Sequence, residues 1–253
     1  MPTGRFHMSF AGVACAALIA LLPGQRAIAQ APVAADTIIH AGHLIDGVSR
    51  TVRDKVSIVI RDGRILAVQP GFAEAPGATV IDLSDATVLP GLIDAHVHLT
   101  ETGGGGNRIA KSVTMTPVDM VLRAVPEARR ELEAGFTSVR NLMAPAGIDI
   151  ALREAIDEGV IPGPRMWVSG MALSATGGHA DPADGLIPEL ARADMTGAFE
   201  REAVIDGPDA ARRAVRVQHM RGANVIKLMA SGGGISLGDD PNAQLMDDDE
   251  IAA

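Results

Sequence analysis

The sequence has 253 residues, with 31 acidic and 22 basic side chains and a formal net charge of -9. Apolar residues make up 47% of it, which excludes long disorder because a chain of this composition can bury a core. The acidic charge argues against nucleic-acid and anionic-membrane surfaces, since both need clustered Lys and Arg. With five Phe, one Trp and no Tyr, an aromatic platform for stacked bases is also excluded.

Residues 1–29 have the three parts of a secretory signal peptide. Arg5 is basic, residues 8–22 carry no charge, and residues 27–29 form a small-x-small cleavage pattern. The apolar run is too short to span a bilayer comfortably. We therefore predict cleavage after Ala29, a secreted or periplasmic protein and no stable membrane anchor. The alternative is a buried N-terminal helix.

Cys15 is the single cysteine and lies inside the predicted signal peptide. Cleavage would leave a chain that can form no intrachain disulfide, so its stability must come from packing and from metal. A lipid anchor on Cys15 is disfavoured, because Gly12 stands where a lipobox usually has Leu.

Residues 30–36 read as a small-residue linker, and residues 37–90 favour β-strands. Apolar runs at 56–60 and 64–68 flank Arg61-Asp62-Gly63, a turn typical of a β-hairpin. Further strands are predicted at 37–39, 78–83 and 86–89. We predict an N-terminal β-sandwich part over residues 37–90.

Residues 91–253 alternate between strands and helices, which predicts an α/β fold with a parallel sheet. Strands are predicted at 92–98, 136–140, 165–169 and 224–229, and helices at 117–133, 148–158 and 208–221. Thr116 and Pro117 open the first helix as N-cap and first residue, and Pro126 is expected to kink it. A (β/α)8 barrel needs about 250 residues. We therefore interpret 91–253 as the first half of such a barrel, with the C-terminal half missing from this sequence.

His96 and His98 follow the apolar start of the first barrel strand. Alternate side chains of a strand share a face, so these two imidazoles point the same way and can hold one divalent metal. The alternative is two histidines on a half-exposed strand. Barrel active sites lie at the C-terminal ends of the strands, which favours the metal.

Lys227 stands alone in the apolar segment 224–229. Burial of an ammonium is costly and lowers the pKa of its amine, which then reacts as a nucleophile. Such an amine forms a Schiff base, or a carbamate that bridges two metals. The alternative is a Lys whose stem lies on an exposed edge while its amine reaches water.

His179 lies in the loop 174–181, which follows the third barrel strand and would lie over the barrel mouth. It is a candidate for substrate contact, although a loop histidine can equally be a plain surface residue. The glycine runs at 103–106 and 232–234 match no P-loop, so we interpret them as mobile loops of the site.

Three motifs together resemble the amidohydrolase superfamily. Residues 88–98 read V-L-P-G-L-I-D-A-H-V-H, which resembles the start of its barrel after an N-terminal β-sandwich segment. Residues 172–179 and 225–233 are similar to its imidazolonepropionase-like branch, which includes Xaa-Pro dipeptidases and N-acyl amino acid hydrolases. The resemblance extends over residues 36–253.

The resemblance implies roles for particular residues. His96 and His98 map to ligands of the more buried of two zinc ions, and Lys227 to the carboxylated lysine that bridges them. His179 falls near the substrate. The family's later metal-binding histidines and its general-base Asp are expected beyond the end of this sequence. Asn141 departs from the pattern, in which Asp often follows the Arg of the second strand, so no role is assigned to Arg140.

The predicted function is an exported zinc-dependent amidohydrolase that cleaves an amide or peptide C–N bond through a metal-bridging hydroxide. Its partner would be a small amide, a dipeptide, an Xaa-Pro dipeptide or an N-acyl amino acid, with no nucleic acid; a homo-oligomer is compatible with the sequence. The 253 residues alone are expected to be inactive and poorly stable, because an unclosed parallel sheet has exposed edges. The alternatives are a non-catalytic metal-binding or interaction module, and a phosphotriester or lactone hydrolase on the same scaffold.

Overall fold

The computed structural model describes residues 37–74, 76–100, 114–183, 187, 189, 201–233 and 240–253. The predicted signal peptide, the linker and the glycine run at 103–106 lie outside this part of the chain. No helix within it has the length and apolar character needed to cross a bilayer. The chain divides into two compact units, Met1–Val88 and Leu89–Ala253.

The first unit contains a four-stranded sheet with the order β3-β2-β1-β4. Its strands are β1 (Thr37–Leu44), β2 (Arg53–Arg61), β3 (Arg64–Pro70) and β4 (Thr79–Val88). Strand β1 pairs with β2 antiparallel and with β4 parallel. Strand β4 is continuous where the sequence predicted two strands. The described strands form one sheet, so the sandwich stays a prediction.

The predicted hairpin between β2 and β3 is confirmed. Asp62 and Gly63 have φ values of 50° and 70°, and positive φ at both central residues matches the right-handed twist of the two strands. The core of this unit is formed by Ala41, Leu44, Val56 and Ile58, all buried. Gly42 is required beside it, because a Cβ there would collide with the Ser84 carbonyl of β4.

The second unit is built on a parallel sheet with the order β5-β6-β7, as the alternation predicted. Its strands are β5 (Leu92–Val97), β6 (Phe136–Asn141) and β7 (Arg165–Val168). Its helices are α1 (Pro117–Glu133), α2 (Ile148–Asp157), α3 (Pro208–Arg221) and α4 (Asp248–Ala252). Helix α1 lies between β5 and β6 in sequence, and α2 between β6 and β7.

Helix α1 begins and ends where the sequence predicts. Thr116 and Asp119 form a reciprocal capping box, and Pro117 occupies the first turn. Pro126 lies inside the helix, which runs as one element from Pro117 to Glu133. Gly135 follows with a φ of 97°, a left-handed conformation that ends the helix.

The core of the second unit lies between the sheet and the first two helices. Val97, Val139 and Val168 of the three strands are buried in one cluster with Ala124 and Ala128 of α1. These contacts fix the strands in register, so the residues that follow each strand are brought to one end of the sheet.

The predicted fourth strand at 224–229 is wrong. Only an isolated parallel bridge joins Leu228 to Leu173, where the Leu173 amide donates to the Lys227 carbonyl at 2.8 Å. Asn224 explains why no ladder forms toward β7. Its side-chain Oδ1 accepts the Val168 amide hydrogen at 2.7 Å, in the place of a backbone carbonyl. The described sheet is open and does not close into a barrel.

Candidate metal centre

The structure brings the two histidines of the first barrel strand together. His96 lies in β5 and His98 directly follows that strand. Their Nε2 atoms are 3.2 Å apart, and their ring centroids are 5.1 Å apart at an interplanar angle of 63°. The rings therefore meet edge to face, with the two Nε2 atoms within hydrogen-bond distance of each other.

This separation fits two ligands of a single ion. Two Zn–N bonds of about 2.0–2.1 Å at a tetrahedral angle place the nitrogens about 3.3–3.4 Å apart, close to the observed 3.2 Å. Within the described ranges, no three His, Cys, Asp or Glu side chains gather around one point. Two imidazole nitrogens are therefore available here as candidate ligands of one divalent metal.

A β-bulge shapes the strand at this pair. Asp94 pairs with Val139 and Val97 pairs with Asn141, so β5 holds one more residue than β6 over this stretch. The Asp94 carboxylate accepts the His96 amide hydrogen at 2.9 Å. Sequence reasoning missed the bulge, although an Asp two residues before His96 is a signal for such a side-chain turn.

Arg140 of β6 reaches across to the bulge. Its Nε donates to the Ala95 carbonyl at 2.7 Å, next to His96 in the chain. The sequence left Arg140 without a role, and the structure shows it satisfying a main-chain carbonyl beside the candidate ligand.

A buried polar network lies at the ends of the same three strands. Asn141 Oδ1 accepts the Leu99 amide hydrogen at 2.8 Å, and its Nδ2 lies 3.5 Å from Asp149 Oδ2. That carboxylate oxygen also accepts the Gly170 amide hydrogen at 3.0 Å. Asn141 ends β6, Leu99 follows β5 and Gly170 follows β7, so this network joins all three strand ends.

Burial shifts the pKa of the Asp149 carboxyl group. Its side chain is fully buried, and loss of hydration raises the pKa of the carboxyl above its usual range. Hydrogen bonds from Gly170, Asn141 and Ile150 oppose that shift without cancelling it. Sequence reasoning missed Asp149, because an Asp in the first turn of a helix usually faces water.

Lys227 lies on a segment that follows α3. It is half-buried, and its neighbour Leu228 forms an isolated bridge with Leu173, which follows β7 in the chain. This segment is not one of the strands of the β5-β6-β7 sheet.

His179 packs against the chain that follows Lys227. A Cβ at Gly233 would collide with the His179 ring, so the ring lies directly against the main chain at Gly233. The loop before the ring is held by hydrogen bonds from the Gly178 amide to the Ala175 carbonyl at 2.9 Å and from the Gly177 amide to Asp181 at 2.8 Å. His179 and the Lys227 segment therefore share one region of the unit.

The profile of the amidohydrolase family matches residues 87–253. This chain belongs to that family. The resemblance inferred from residues 88–98, 172–179 and 225–233 is thereby confirmed.

Similar proteins include ochratoxinase from Aspergillus niger, 34% identical over 236 residues, which cover 88% of this chain and 48% of the relative. A solved Xaa-Pro dipeptidase with bound methionine is 32% identical at a TM-score of 0.73, covering 86% of this chain and 52% of its own. A prolidase solved with N-methylphosphonate-L-proline is 35% identical at a TM-score of 0.71, covering 85% and 52%. The chain spans about half the length of these relatives.

Proposed function

We propose that this chain is part of a metal-dependent hydrolase that cleaves amide C–N bonds in small molecules. The observation that carries the proposal is the 3.2 Å convergence of the His96 and His98 nitrogens at the C-terminal end of β5. In barrels of parallel strands, catalysis takes place at that end. The similarity to ochratoxinase and to prolidase structures favours substrates of the dipeptide, Xaa-Pro or N-acyl amino acid type.

We propose zinc as the metal, held by the neutral imidazoles of His96 and His98. A carboxylated Lys227 would supply an anionic, two-oxygen ligand that bridges to a second ion. When bound, such ions supply Lewis acids that polarise a carbonyl oxygen and acidify water. Imidazole must lose its proton to bind a metal, so affinity should fall in acid.

The remaining contributions come from the chain itself. Asp94 fixes the main chain at His96 through its hydrogen bond to the amide. His179 is proposed to contact substrate, where its imidazole can donate a hydrogen bond to a carboxylate of an amino-acid-like molecule. Its support is the position of the ring against the main chain at Gly233. We also propose export directed by residues 1–29, which N-terminal sequencing of the secreted protein would test.

The test of activity uses the complete reading frame that contains these residues. The zinc-loaded product is assayed against Xaa-Pro dipeptides, N-acyl amino acids, lactones and phosphotriesters. We expect amide hydrolysis that falls to background in His96→Ala and His98→Ala. The control is His43→Ala, an exposed histidine of β1 in the first unit. Unchanged hydrolysis in the His96 and His98 variants would contradict the proposal.

The same experiment addresses the 253 residues alone. We propose that they do not hydrolyse amides, and measurable turnover by this purified chain would overturn that statement. One observation favours a second function, a non-catalytic metal-binding module: the described residues bring two histidines together and no third His, Cys, Asp or Glu. Tight zinc binding by the complete product, without hydrolysis of any substrate, would establish that second function.

A further inference from the structure

Two consecutive side chains at the end of β6 contact the main chain on either side of the histidine pair. On one side, Arg140 Nε donates to the Ala95 carbonyl at 2.7 Å. Ala95 lies within the bulge and directly precedes His96, so this bond fixes the entry into the pair.

On the other side, Asn141 Oδ1 accepts the Leu99 amide hydrogen at 2.8 Å. Leu99 directly follows His98, and both ends of this bond are buried. A buried amide hydrogen without an acceptor costs about 1–3 kcal/mol, so this bond fixes the exit from the pair.

Asn141 is itself held by a buried acceptor. Its Nδ2 lies 3.5 Å from Asp149 Oδ2 and 3.3 Å from the Met143 carbonyl. A side-chain amide is needed at 141, because its oxygen must accept the Leu99 amide hydrogen while its nitrogen donates to the Asp149 carboxylate. An ionised carboxylate at 141 would have no hydrogen to donate and would face the Asp149 carboxyl group.

We propose that Arg140 and Asn141, together the β6 clamp, are positioning residues that hold the His96 and His98 nitrogens at the spacing a single divalent ion requires. The clamp acts through the main chain, before the first histidine and after the second. The proposal rests on the metal site of the proposed function. It adds to that site two residues that act through the main chain and are not themselves ligands. Groups that orient metal ligands typically change metal affinity by about 10–100-fold when removed.

The test compares three variants in the full chain. Asn141→Asp removes the donor toward Asp149. Asn141→Asp with Asp149→Asn exchanges the two groups and restores one donor opposite one carboxylate. Arg140→Met keeps the apolar stem and removes the guanidinium at an exposed position, so it tests the clamp even where Asn141→Asp fails to fold.

The matched control is Ser57→Ala in the first unit. Ser57 is fully buried and its hydroxyl bonds the Gly71 carbonyl at 2.9 Å and the Ala73 amide at 2.8 Å. This variant loses buried hydrogen bonds far from the histidines in sequence. It should lower the unfolding free energy and leave zinc affinity unchanged, which separates positioning from general destabilisation.

The readouts are zinc affinity, by competition with a chromophoric chelator, and the visible absorption spectrum of bound Co²⁺, which reports ligand geometry. We expect Asn141→Asp and Arg140→Met to weaken zinc binding about 10–100-fold and to alter the Co²⁺ spectrum. The exchanged double variant should recover part of the affinity. Wild-type affinity and an unaltered spectrum in both single variants would overturn the proposal.

A third readout separates this inference from the proposed function. Amide hydrogen exchange over residues 95–99 is measured without metal, where the clamp predicts faster exchange in both single variants. If His96→Ala leaves zinc affinity unchanged, the metal site itself fails. In that case unchanged exchange over residues 95–99 in both single variants would overturn the clamp as well, and faster exchange would support its hold on this segment.

Discussion

Asp46 in the first unit and Asp149 in the second use their carboxylates in opposite ways. Asp46 is exposed in a turn and accepts amide hydrogens from Val48 at 2.9 Å and Ser49 at 2.7 Å, which lower its pKa to about 2. Asp149 is fully buried, and burial raises its pKa.

The difference shows where the chain buries a polar group even though loss of hydration opposes folding. In the first unit the carboxylate of Asp46 stabilises a surface turn. In the second, a carboxyl group is buried among strand ends that carry the histidine pair. Burial of a carboxyl group opposes folding unless hydrogen-bond donors surround it. The burial of Asp149 at this place therefore indicates that its carboxyl group holds the neighbouring strand ends in position.

The largest expected effect is the loss of the buried carboxyl group. Asp149→Ala leaves the Gly170 amide without its acceptor and removes one of the two acceptors of the Asn141 side chain. We expect the unfolding free energy to fall by about 2–4 kcal/mol. Urea denaturation measures it. Asp46→Ala is the control from the first unit and should cost less, because water can solvate the amides it exposes. Equal losses would break the comparison.

The second-largest expected effect is that zinc stabilises the second unit and leaves the first unit unchanged. An ion present at 100 times its dissociation constant raises the unfolding free energy of the protein that binds it by about 2.7 kcal/mol. We expect this gain at amides of the second unit, measured by hydrogen exchange with and without a chelator. His96→Ala should abolish the gain and His43→Ala should keep it. A gain confined to residues 37–88 would contradict the site.

Gly42→Ala should act on the first unit. The added Cβ meets the Ser84 carbonyl, a backbone group that cannot move without parting β1 from β4. We expect a loss of about 1–3 kcal/mol in unfolding free energy. Thermal unfolding measures the loss, and zinc affinity serves as its control because the histidines lie in the other unit. A variant as stable as the parent chain would show that the two strands have room to separate.

The smallest expected effect is on the pH dependence of the unfolding free energy. Asp149 and Asp46 contribute to it with opposite signs. The folded chain binds the Asp149 proton more tightly than the unfolded chain, so this group lowers stability as pH rises above the usual carboxyl value of about 3.9. Asp46 does the reverse: its contribution is present above about 3.9 and is lost as pH falls toward 2.

The measurement is the urea midpoint as a function of pH. The difference curve between wild type and Asp149→Asn isolates the first contribution, and Asp46→Asn isolates the second. We expect difference curves of opposite slope. Curves with the same slope would mean that burial does not govern the Asp149 carboxyl group.

Local patterns predicted much of the fold. The Asp62-Gly63 turn, the Thr116 cap and the ends of α3 follow from dihedral preferences and hydrogen bonds between neighbours in sequence. The strand at 224–229 failed because Asn224 takes a hydrogen bond from Val168, a partner distant in sequence. Alternation along β5 predicted that the two histidines share a face, but it did not predict the bulge between Asp94 and Val97.

By itself, the sequence determined the three parallel strands of the second unit and the helices between them, the amidohydrolase family and the choice of His96 and His98 as candidate ligands. All of these features depend on hydrophobic periodicity, turn residues and motifs, which short stretches of sequence contain. Only the tertiary structure decided that Arg140 and Asn141 contact the main chain on either side of the pair and that Asp149 is buried next to Asn141. Such contacts join residues more than 40 positions apart between β5 and β6, and only packing of the strands brings those residues together.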